Sequence, residues 1–197
     1  GRYRGIIGSK RIKHLAGTFD FVGVNYYSRF YLRFPPPPGF VDREWGPDAI
    51  VSDGNYGEVY PRGLFDVIDR VWKRYSKPIY VTENGVPDAV DRIRPGFLLS
   101  HLRQIWYAIS FCYPVMGYYH WSLVDNFEWD RGWTQRFGLI GVDPITQERT
   151  WRPSAHLYRE ICQSYSINDD MAARYAPEML EVMWPGKEPA NSEQATP

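Results

Sequence analysis

Three strand-length runs of apolar, β-branched and aromatic residues alternate with helix-like segments along this chain of 197 residues. The strand-like segments are 19–27, 77–85 and 115–121, and the helix-like segments between them are 61–72 and 97–111. Because a crossover helix is what joins parallel neighbouring strands, this order predicts an α/β fold with parallel strands and outer helices. Three such units are fewer than half of an eight-stranded barrel, which needs about 250 residues. The chain is therefore predicted to be an incomplete barrel.

A long irregular segment, 28–60, separates the first strand from the first helix and contains the run from Pro35 to Gly39. Connections of this length are uncommon in a compact domain and usually serve function or mobility. Further elements are predicted after the third strand, namely a strand-like segment at 137–142 and helices at 153–165 and 169–183. The regular elements therefore lie mostly after residue 60.

Charge and cysteine content exclude several classes of protein. Lys+Arg and Asp+Glu each total 23, so no net charge attracts nucleic acid and no such partner is predicted. No apolar run approaches the roughly 20 residues that cross a bilayer, so no membrane partner is predicted either. The two cysteines, Cys112 and Cys162, provide neither a disulfide framework nor a Cys-x-x-Cys zinc site, which favours a cytoplasmic location. Because the chain begins with Gly1, it is interpreted either as trimmed or as a piece of a longer protein.

Polar side chains follow each of the three predicted strands. Asn25 and Tyr27 end the first strand, Glu83 and Asn84 end the second, and Trp121 ends the third. The carboxyl ends of parallel strands converge on one rim, where α/β folds place their active sites. A carboxylate at the end of a buried strand is unfavourable unless it is used or hydrogen-bonded. Glu83 is therefore interpreted as a functional carboxylate, and bonding to nearby backbone amides is the structural alternative.

The loop after the third strand interleaves tryptophans with acids. It contains Trp121, Asp125, Glu128, Trp129, Asp130 and Trp133. Sugars present C–H faces that stack on aromatic rings and hydroxyls that donate to carboxylates, so this pattern predicts a carbohydrate subsite. A calcium loop is disfavoured, because the acids have the wrong spacing and bulky rings replace the turn glycine. A purely structural aromatic cluster stays open as an alternative.

Three ordered motifs carry a resemblance to a known family. They are DFVGVNYY at 20–27, YVTENG at 80–85 and HWSLVDNFEW at 120–129, the last followed by RFGL at 136–139. Together they resemble the carboxyl-terminal part of family-1 glycoside hydrolases, the β-glucosidase group. The resemblance implies a (β/α)8 barrel of which these are strands six, seven and eight, with 1–184 in the barrel domain. The polar composition at the end of the sequence predicts that 185–197 is a disordered tail. The resemblance also implies retaining hydrolysis of terminal β-D-glycosides.

The resemblance implies catalytic roles for two residues. Glu83 would be the nucleophile that forms the glycosyl-enzyme intermediate, and Tyr27 would hydrogen-bond it and help to keep it ionised. A retaining enzyme also needs a second, protonated acid roughly 5 Å away, which protonates the leaving oxygen. The family places that acid in a Thr-x-Asn-Glu-Pro stretch on strand four, and nothing in this sequence matches it. The acid is therefore expected from an amino-terminal half of the same barrel, as a separate or cleaved chain.

The resemblance also implies a set of substrate-binding residues, which are Asn25, Trp121, Glu128, Trp129 and Phe137. Trp121 would stack under the sugar and Glu128 and Trp129 would bind its hydroxyls. The other two would line the same pocket. Where the family often has a leaving-group tryptophan, this sequence has Gly57 beside Tyr56. The resemblance implies neither a cofactor nor a metal.

Two functions of different classes stay open. The first is a retaining β-glycosidase that acts on a β-glycoside or oligosaccharide once an amino-terminal half completes the barrel. The second is a non-catalytic carbohydrate-binding or complementation module that keeps Trp121, Glu128 and Trp129 but performs no chemistry. Without their neighbouring strands the outermost strands carry unpaired edges, so a homo-oligomer of two half-barrels is a further alternative to the amino-terminal partner.

Overall fold

A computed structural model of the chain describes residue 14 and residues 17–32 and 43–187. The strands are β1 Val22–Asn25, β2 Tyr31–Leu32, β3 Arg43–Glu44, β4 Ile79–Asn84, β5 Val115–His120, β6 Ile140–Val142 and β7 Arg149–Trp151. The helices are α1 Pro61–Tyr75, α2 Arg94–Ser110, α3 Pro153–Ser164, α4 Asp169–Tyr175 and α5 Leu180–Met183. The run from Pro35 to Gly39 and residues 188–197 of the predicted tail lie outside the described residues.

The three longest strands form one parallel sheet in the order β1, β4, β5. Helix α1 lies between β1 and β4 in the chain, and α2 lies between β4 and β5, which is the βαβ arrangement. Asn25 pairs with Glu83, and Asn84 pairs with His120, so the carboxyl ends of the strands lie side by side. The predicted α/β class with parallel strands is confirmed.

The helices cover one face of this sheet. Ile79 and Val81 of β4 are fully buried in a cluster with Leu64 and Ile68 of α1, because alternate residues of a strand point to the same face. A second cluster, which contains Leu98, packs α2 against α3, α4 and α5. Among the described residues no helix is long and apolar enough to cross a membrane.

The opposite face of the sheet carries aromatic side chains that the described residues leave largely uncovered. Phe21 is 53% exposed and Tyr119 is 58% exposed. The ring of Tyr80 on β4 meets the ring of Phe21 edge to face, with centroids 5.1 Å apart. Parallel sheets are almost always covered on both faces. This face therefore fits the interior of a barrel better than an outer surface.

The observed elements differ from the predicted ones where distant residues contribute. Helix α2 begins at Arg94 rather than at 97, because the Asp88 carboxylate accepts the backbone N–H groups of Ile93 at 2.7 Å and Arg94 at 3.0 Å. The predicted helix at 169–183 is interrupted at Ala176, since the residue before a proline disfavours helical geometry. The predicted strand at 137–142 is shorter and pairs antiparallel with β7, which the sequence did not predict.

A buried ion pair joins the starts of α2 and α3. Arg94 is completely buried, and its guanidinium donates to the Asp91 carboxylate and, at 2.7 Å, to the carbonyl of Arg136. Asp91 also accepts the backbone N–H of Ser154 at 2.7 Å and its hydroxyl at 2.6 Å. This one carboxylate therefore couples two helices to the segment that leads into Phe137.

We expect Asp91→Asn to lower the free energy of unfolding by about 3–5 kcal/mol, because it leaves the buried Arg94 charge without a charged partner. Urea denaturation of both proteins measures the loss. The matched control is Asp66→Asn, which breaks the exposed Arg62–Asp66 pair and should change the free energy of unfolding by less than about 1 kcal/mol. Equal losses in the two variants would contradict the assignment.

Candidate active site

Glu83, the predicted nucleophile, lies near the carboxyl end of the middle strand of the sheet. Its side chain is partly exposed, and the Tyr27 hydroxyl donates to Glu83 Oε2 at 2.5 Å. The backbone N–H of Tyr26 donates to the carbonyl of Glu83 at 2.9 Å, which keeps the end of β1 beside the end of β4. Burial and the hydrogen bond to Glu83 raise the pKa of Tyr27. The phenol therefore remains a proton donor to the Glu83 carboxylate.

Asn25 is the register partner of Glu83 on the neighbouring strand. The side chain is exposed, and its Oδ1 accepts the Thr82 hydroxyl at 2.7 Å. Since the amide oxygen faces Thr82, the amide nitrogen points elsewhere and can donate to a ligand hydroxyl. The structure thus brings Asn25, Tyr27 and Glu83 together at one edge of the sheet.

The ring of Tyr27, whose hydroxyl bonds Glu83, packs against two further aromatic rings. The ring of Tyr27 lies 6.0 Å from that of Tyr56 and 5.9 Å from that of Phe137, and the last two are 5.1 Å apart, all edge to face. Phe137 is completely buried. It therefore acts on the predicted pocket by supporting the two tyrosines rather than by presenting its own ring.

Gly57 differs from the tryptophan that the resemblance leads one to expect, and the surrounding backbone explains why. A Cβ atom at Gly57 would lie 2.2 Å from the Cβ of Ser28. The segments that carry these two residues approach so closely that only glycine fits without a shift of the backbone. Tyr56 is the aromatic residue that this segment presents.

A pocket of about 390 Å³ opens beside these rings. Its lining residues are Ser28, Phe30, Tyr56, Glu128, Trp129, Asp130 and Arg131. The pocket brings together Tyr56 and two residues predicted to bind the sugar, Glu128 and Trp129. A larger hollow of about 650 Å³ lies beside the β6–β7 hairpin and contains none of the predicted site residues. Glu83, Tyr27, Asn25 and Trp121 do not line the smaller pocket, so it contains the Glu128 and Trp129 part of the predicted sugar site.

Glu128 is held by a neighbour that sequence reasoning missed. The Asn126 amide nitrogen donates to Glu128 Oε2 at 3.0 Å, and the Ser122 hydroxyl donates to the Asn126 amide oxygen at 3.2 Å. These bonds orient the carboxylate, so that Oε1 can accept from a ligand hydroxyl. Trp129 is 83% exposed and its ring is accessible to a ligand. The only sequence signal for Asn126 was its place in the same tryptophan-rich loop.

Asp125 from the same loop has a structural role. The Arg152 guanidinium donates to both of its carboxylate oxygens at 3.0 Å, and the backbone N–H of Gly138 donates at 2.8 Å. Asp125 is buried, so these partners use the oxygens that a sugar would need. The interleaved acids are therefore divided, with Asp125 inside the fold and Glu128 at the pocket.

Trp121 and Asn84 lie next to each other at the ends of β5 and β4. The backbone N–H of Trp121 donates to the carbonyl of Asn84 at 3.0 Å. A Cβ atom at Gly85 would lie 1.7 Å from the Trp121 carbonyl oxygen, so glycine is needed for this approach. The expectation that Asn84 faces the rim is wrong, because its side chain is completely buried and bonds Tyr26 and Tyr118.

The fold defines the class of protein as part of an α/β barrel, and barrels of this class place their active sites at the carboxyl ends of the strands. The crystal structure of the β-glycosidase from the hyperthermophile Thermosphaera aggregans matches with a TM-score of 0.71 at 38% identity. The match covers 84% of this chain and 36% of that one. The chain belongs to glycosyl hydrolase family 1, whose family model matches residues 5–167. The predicted family and the partial-barrel fold are confirmed.

Two relatives with named activities illustrate the similarity in sequence. The β-galactosidase of Sulfolobus acidocaldarius is 41% identical over 166 residues, which are 80% of this chain and 34% of that protein. The β-glucosidase A of Thermotoga maritima is 35% identical over 164 residues, which are 76% of this chain and 36% of that protein. The chain thus spans about a third of the length of these relatives.

We expect the Tyr27 phenol to stay protonated in the folded protein at a pH where an unperturbed tyrosine ionises. Its folded-state pKa is raised above the ordinary tyrosine value of 10.0, so this group lowers the stability of the fold as the pH rises above that value. Tyrosinate absorbance of the chain and of Tyr27→Phe should therefore rise in parallel through pH 10.0. In urea, where the tyrosines are unperturbed, the unaltered chain should show one more ionised tyrosine than Tyr27→Phe near that pH. The same difference between the two folded proteins would contradict the prediction.

Proposed function

We propose that this chain is the nucleophile-bearing part of a retaining β-glycosidase that removes terminal β-D-glycosyl residues. The observation that carries the proposal is the 2.5 Å contact of the Tyr27 hydroxyl with Glu83 Oε2 at the carboxyl edge of the sheet. A phenol that donates to a carboxylate favours its ionised form. An ionised carboxylate is what attacks the anomeric carbon in a retaining mechanism. Membership of glycosyl hydrolase family 1 supports this assignment.

The proposed reaction has two steps. Because Oε2 of Glu83 accepts the phenol, Oε1 attacks the anomeric carbon, and the bond from that carbon to the leaving oxygen breaks. A second carboxylic acid gives its proton to the leaving oxygen and then, as a carboxylate, takes a proton from water. The water attacks the glycosyl-enzyme ester at the anomeric carbon, which releases the sugar and restores the Glu83 carboxylate.

Recognition of the sugar is assigned to Glu128 and Trp129 of the smaller pocket together with Trp121 and Asn25, which do not line it. Glu128 and Trp129 would bind the sugar hydroxyls, and Trp121 would stack under the sugar, since C–H faces stack on indoles. Asn25 would donate its amide nitrogen to a hydroxyl near the reacting carbon. Relatives named β-galactosidase and β-glucosidase support β-D-galactosides and β-D-glucosides as the substrate class.

The proton-donating acid is assigned to polypeptide outside these 197 residues. The chain matches about a third of its relatives, and it lacks the strand-four motif that carries the acid in the family it resembles. The exposed rings of Phe21 and Tyr119 support the same view, because burial of apolar surface stabilises by roughly 25 cal/mol per Å². Residues 1–184 would then be the carboxyl-terminal part of one barrel domain. The cytoplasmic location and the homo-oligomer stay predictions.

We expect the 197-residue chain alone to show no turnover of an aryl β-glucoside, because it has no positioned acid. Adding the amino-terminal two thirds of a relative such as the Sulfolobus acidocaldarius β-galactosidase should restore release of the aryl alcohol. In that mixture Glu83→Gln should abolish activity, whereas Glu148→Gln, the same change on the exposed β6–β7 turn, should not. Ordinary enzyme rates from the chain alone would show that the assignment of the acid is wrong.

A 2-deoxy-2-fluoro glycoside with an activated leaving group separates catalysis from simple binding. The fluorine slows both formation and hydrolysis of the ester, and the activated leaving group speeds its formation alone, so the glycosyl-enzyme accumulates. Intact mass should rise by one glycosyl group in the completed barrel, on Glu83, and should not rise in Glu83→Gln. Binding of the sugar without a mass increase would instead favour the non-catalytic carbohydrate-binding module.

We expect the chain alone to self-associate, because β1 and β5 each have one neighbouring strand in the described residues and the open sheet face is apolar. Light scattering should give a mass above 23.1 kDa that falls to that of a one-to-one complex when the amino-terminal segment is added. A stable monomer at high concentration would contradict the prediction that unpaired edges of β1 and β5 drive self-association.

A further inference from the structure

We propose that Asn84 is a positioning residue that holds the Tyr27–Glu83 pair in its reactive geometry. The inference deepens the proposed function and rests on it, because it gives Asn84 a role in that same reaction. Asn84 follows Glu83 in the chain but is 0% exposed, so it cannot touch a substrate in the pocket. Its effect must pass through the residues to which it is bonded.

The Asn84 side chain bridges the two strands on either side of β4. Its amide nitrogen donates to the carbonyl of Tyr26, at the end of β1, at 2.7 Å. Its amide oxygen accepts the hydroxyl of Tyr118, on β5, at 3.0 Å. One side chain therefore connects all three strands of the sheet directly behind the predicted nucleophile.

The backbone pairing of β4 with both neighbouring strands is irregular next to Asn84, so the side-chain bonds of Asn84 contribute to holding the strands together there. The register between β1 and β4 shifts between Val24 and Asn25, and the register between β4 and β5 shifts between Val81 and Asn84. Irregular pairing leaves strand ends less well defined than a continuous ladder does. The Asn84 amide supplies side-chain hydrogen bonds on both sides of the interruption.

The donor and acceptor of each Asn84 side-chain hydrogen bond are fixed. A backbone carbonyl only accepts, so the Asn84 NH₂ group must face Tyr26, and its oxygen must face Tyr118. The Tyr118 hydroxyl therefore donates to Asn84, and its oxygen accepts from His120 Nδ1, 3.3 Å away, in the tautomer that carries a proton on that nitrogen. Neither of the two Asn84 bonds can reverse without leaving the buried amide unpaired, which favours a single orientation of this side chain.

The bridge reaches the reactive pair through one peptide unit. The carbonyl of Tyr26 and the N–H of Tyr27 belong to the same planar peptide. The backbone N–H of Tyr26 donates to the Glu83 carbonyl at 2.9 Å, while the Tyr26 carbonyl accepts from Asn84. Both sides of Tyr26 are thus fixed to consecutive residues of β4, and this orientation directs the Tyr27 phenol onto Glu83.

The test compares Asn84→Asp with Asn168→Asp in the 197-residue chain. At position 84 an aspartate keeps the size and the acceptor, and in its ionised form it cannot donate to the Tyr26 carbonyl, so the spectra are compared at a pH where the new carboxyl is ionised. At position 168 the side chain only accepts, from the N–H of Met171 at 2.9 Å, so aspartate retains that bond. The readout is the low-field proton resonance of the Tyr27 hydroxyl, identified by its loss in Tyr27→Phe. We expect Asn84→Asp to shift or abolish this resonance while Asn168→Asp leaves it in place.

A second variant and a kinetic measurement cover the case in which Asn84→Asp does not fold. Tyr118→Phe removes the donor to Asn84 and should move the same resonance in the same direction. In the completed barrel each folded variant should lower kcat by roughly ten- to a hundredfold, the range of a small misplacement of a reacting group. KM should stay within about twofold, because Asn84 touches no substrate.

The proposal is overturned if folded Asn84→Asp or Tyr118→Phe keeps the Tyr27 resonance of the unaltered chain. It is equally overturned if the unaltered chain has no resonance that Tyr27→Phe removes. Failure of the proposed function has a different signature, namely no covalent label on Glu83 in the completed barrel. In that event a lost resonance in Asn84→Asp would still place Asn84 in control of the Tyr27–Glu83 contact.

Discussion

The parallel pairing of β1, β4 and β5 is the constraint on which the positions of the predicted site residues depend. It sets Asn25 beside Glu83 and lets the N–H of Tyr26 bond the Glu83 carbonyl. Alternate residues of a regular strand share a face, so Glu83 would lie on the helix side with Ile79 and Val81. The register shifts between Val24 and Asn25 and between Val81 and Asn84 interrupt that alternation. Glu83 is therefore partly exposed while Asn84 is completely buried.

One-sided burial also shapes what this polypeptide can do. Helices α1 and α2 cover the face that contains Val81, whereas Phe21 and Tyr119 on the other face remain more than half exposed. Parallel sheets are almost always covered on both faces, by a second layer or by the remainder of a barrel. The same surface would carry the sugar-binding edge, so completion of the fold and completion of the active site are proposed to be one event.

The tryptophan-rich loop shows how environment separates identical side-chain chemistry. Asp125 is buried and paired with Arg152, so its charge serves the link between the loop and the start of α3. Glu128, three residues later, borders the pocket and is oriented by Asn126. A buried carboxylate needs its partners to balance the loss of water, whereas a partly exposed one retains oxygens for a ligand.

The sequence alone determined the alternation of strands and helices, the start of α1 at Pro61 and the family motifs that contain Tyr27 and Glu83. These follow from local periodicity, proline geometry and short spacings, which depend on neighbours in the chain. The tertiary structure decided that Asn84 points inward, that Asp125 is an anchor and that Asp88 starts α2. The Asn84–Tyr26 bond joins residues 58 positions apart, and the Arg152–Asp125 pair spans 27. Such partners are chosen by packing and strand register, and no local pattern encodes them.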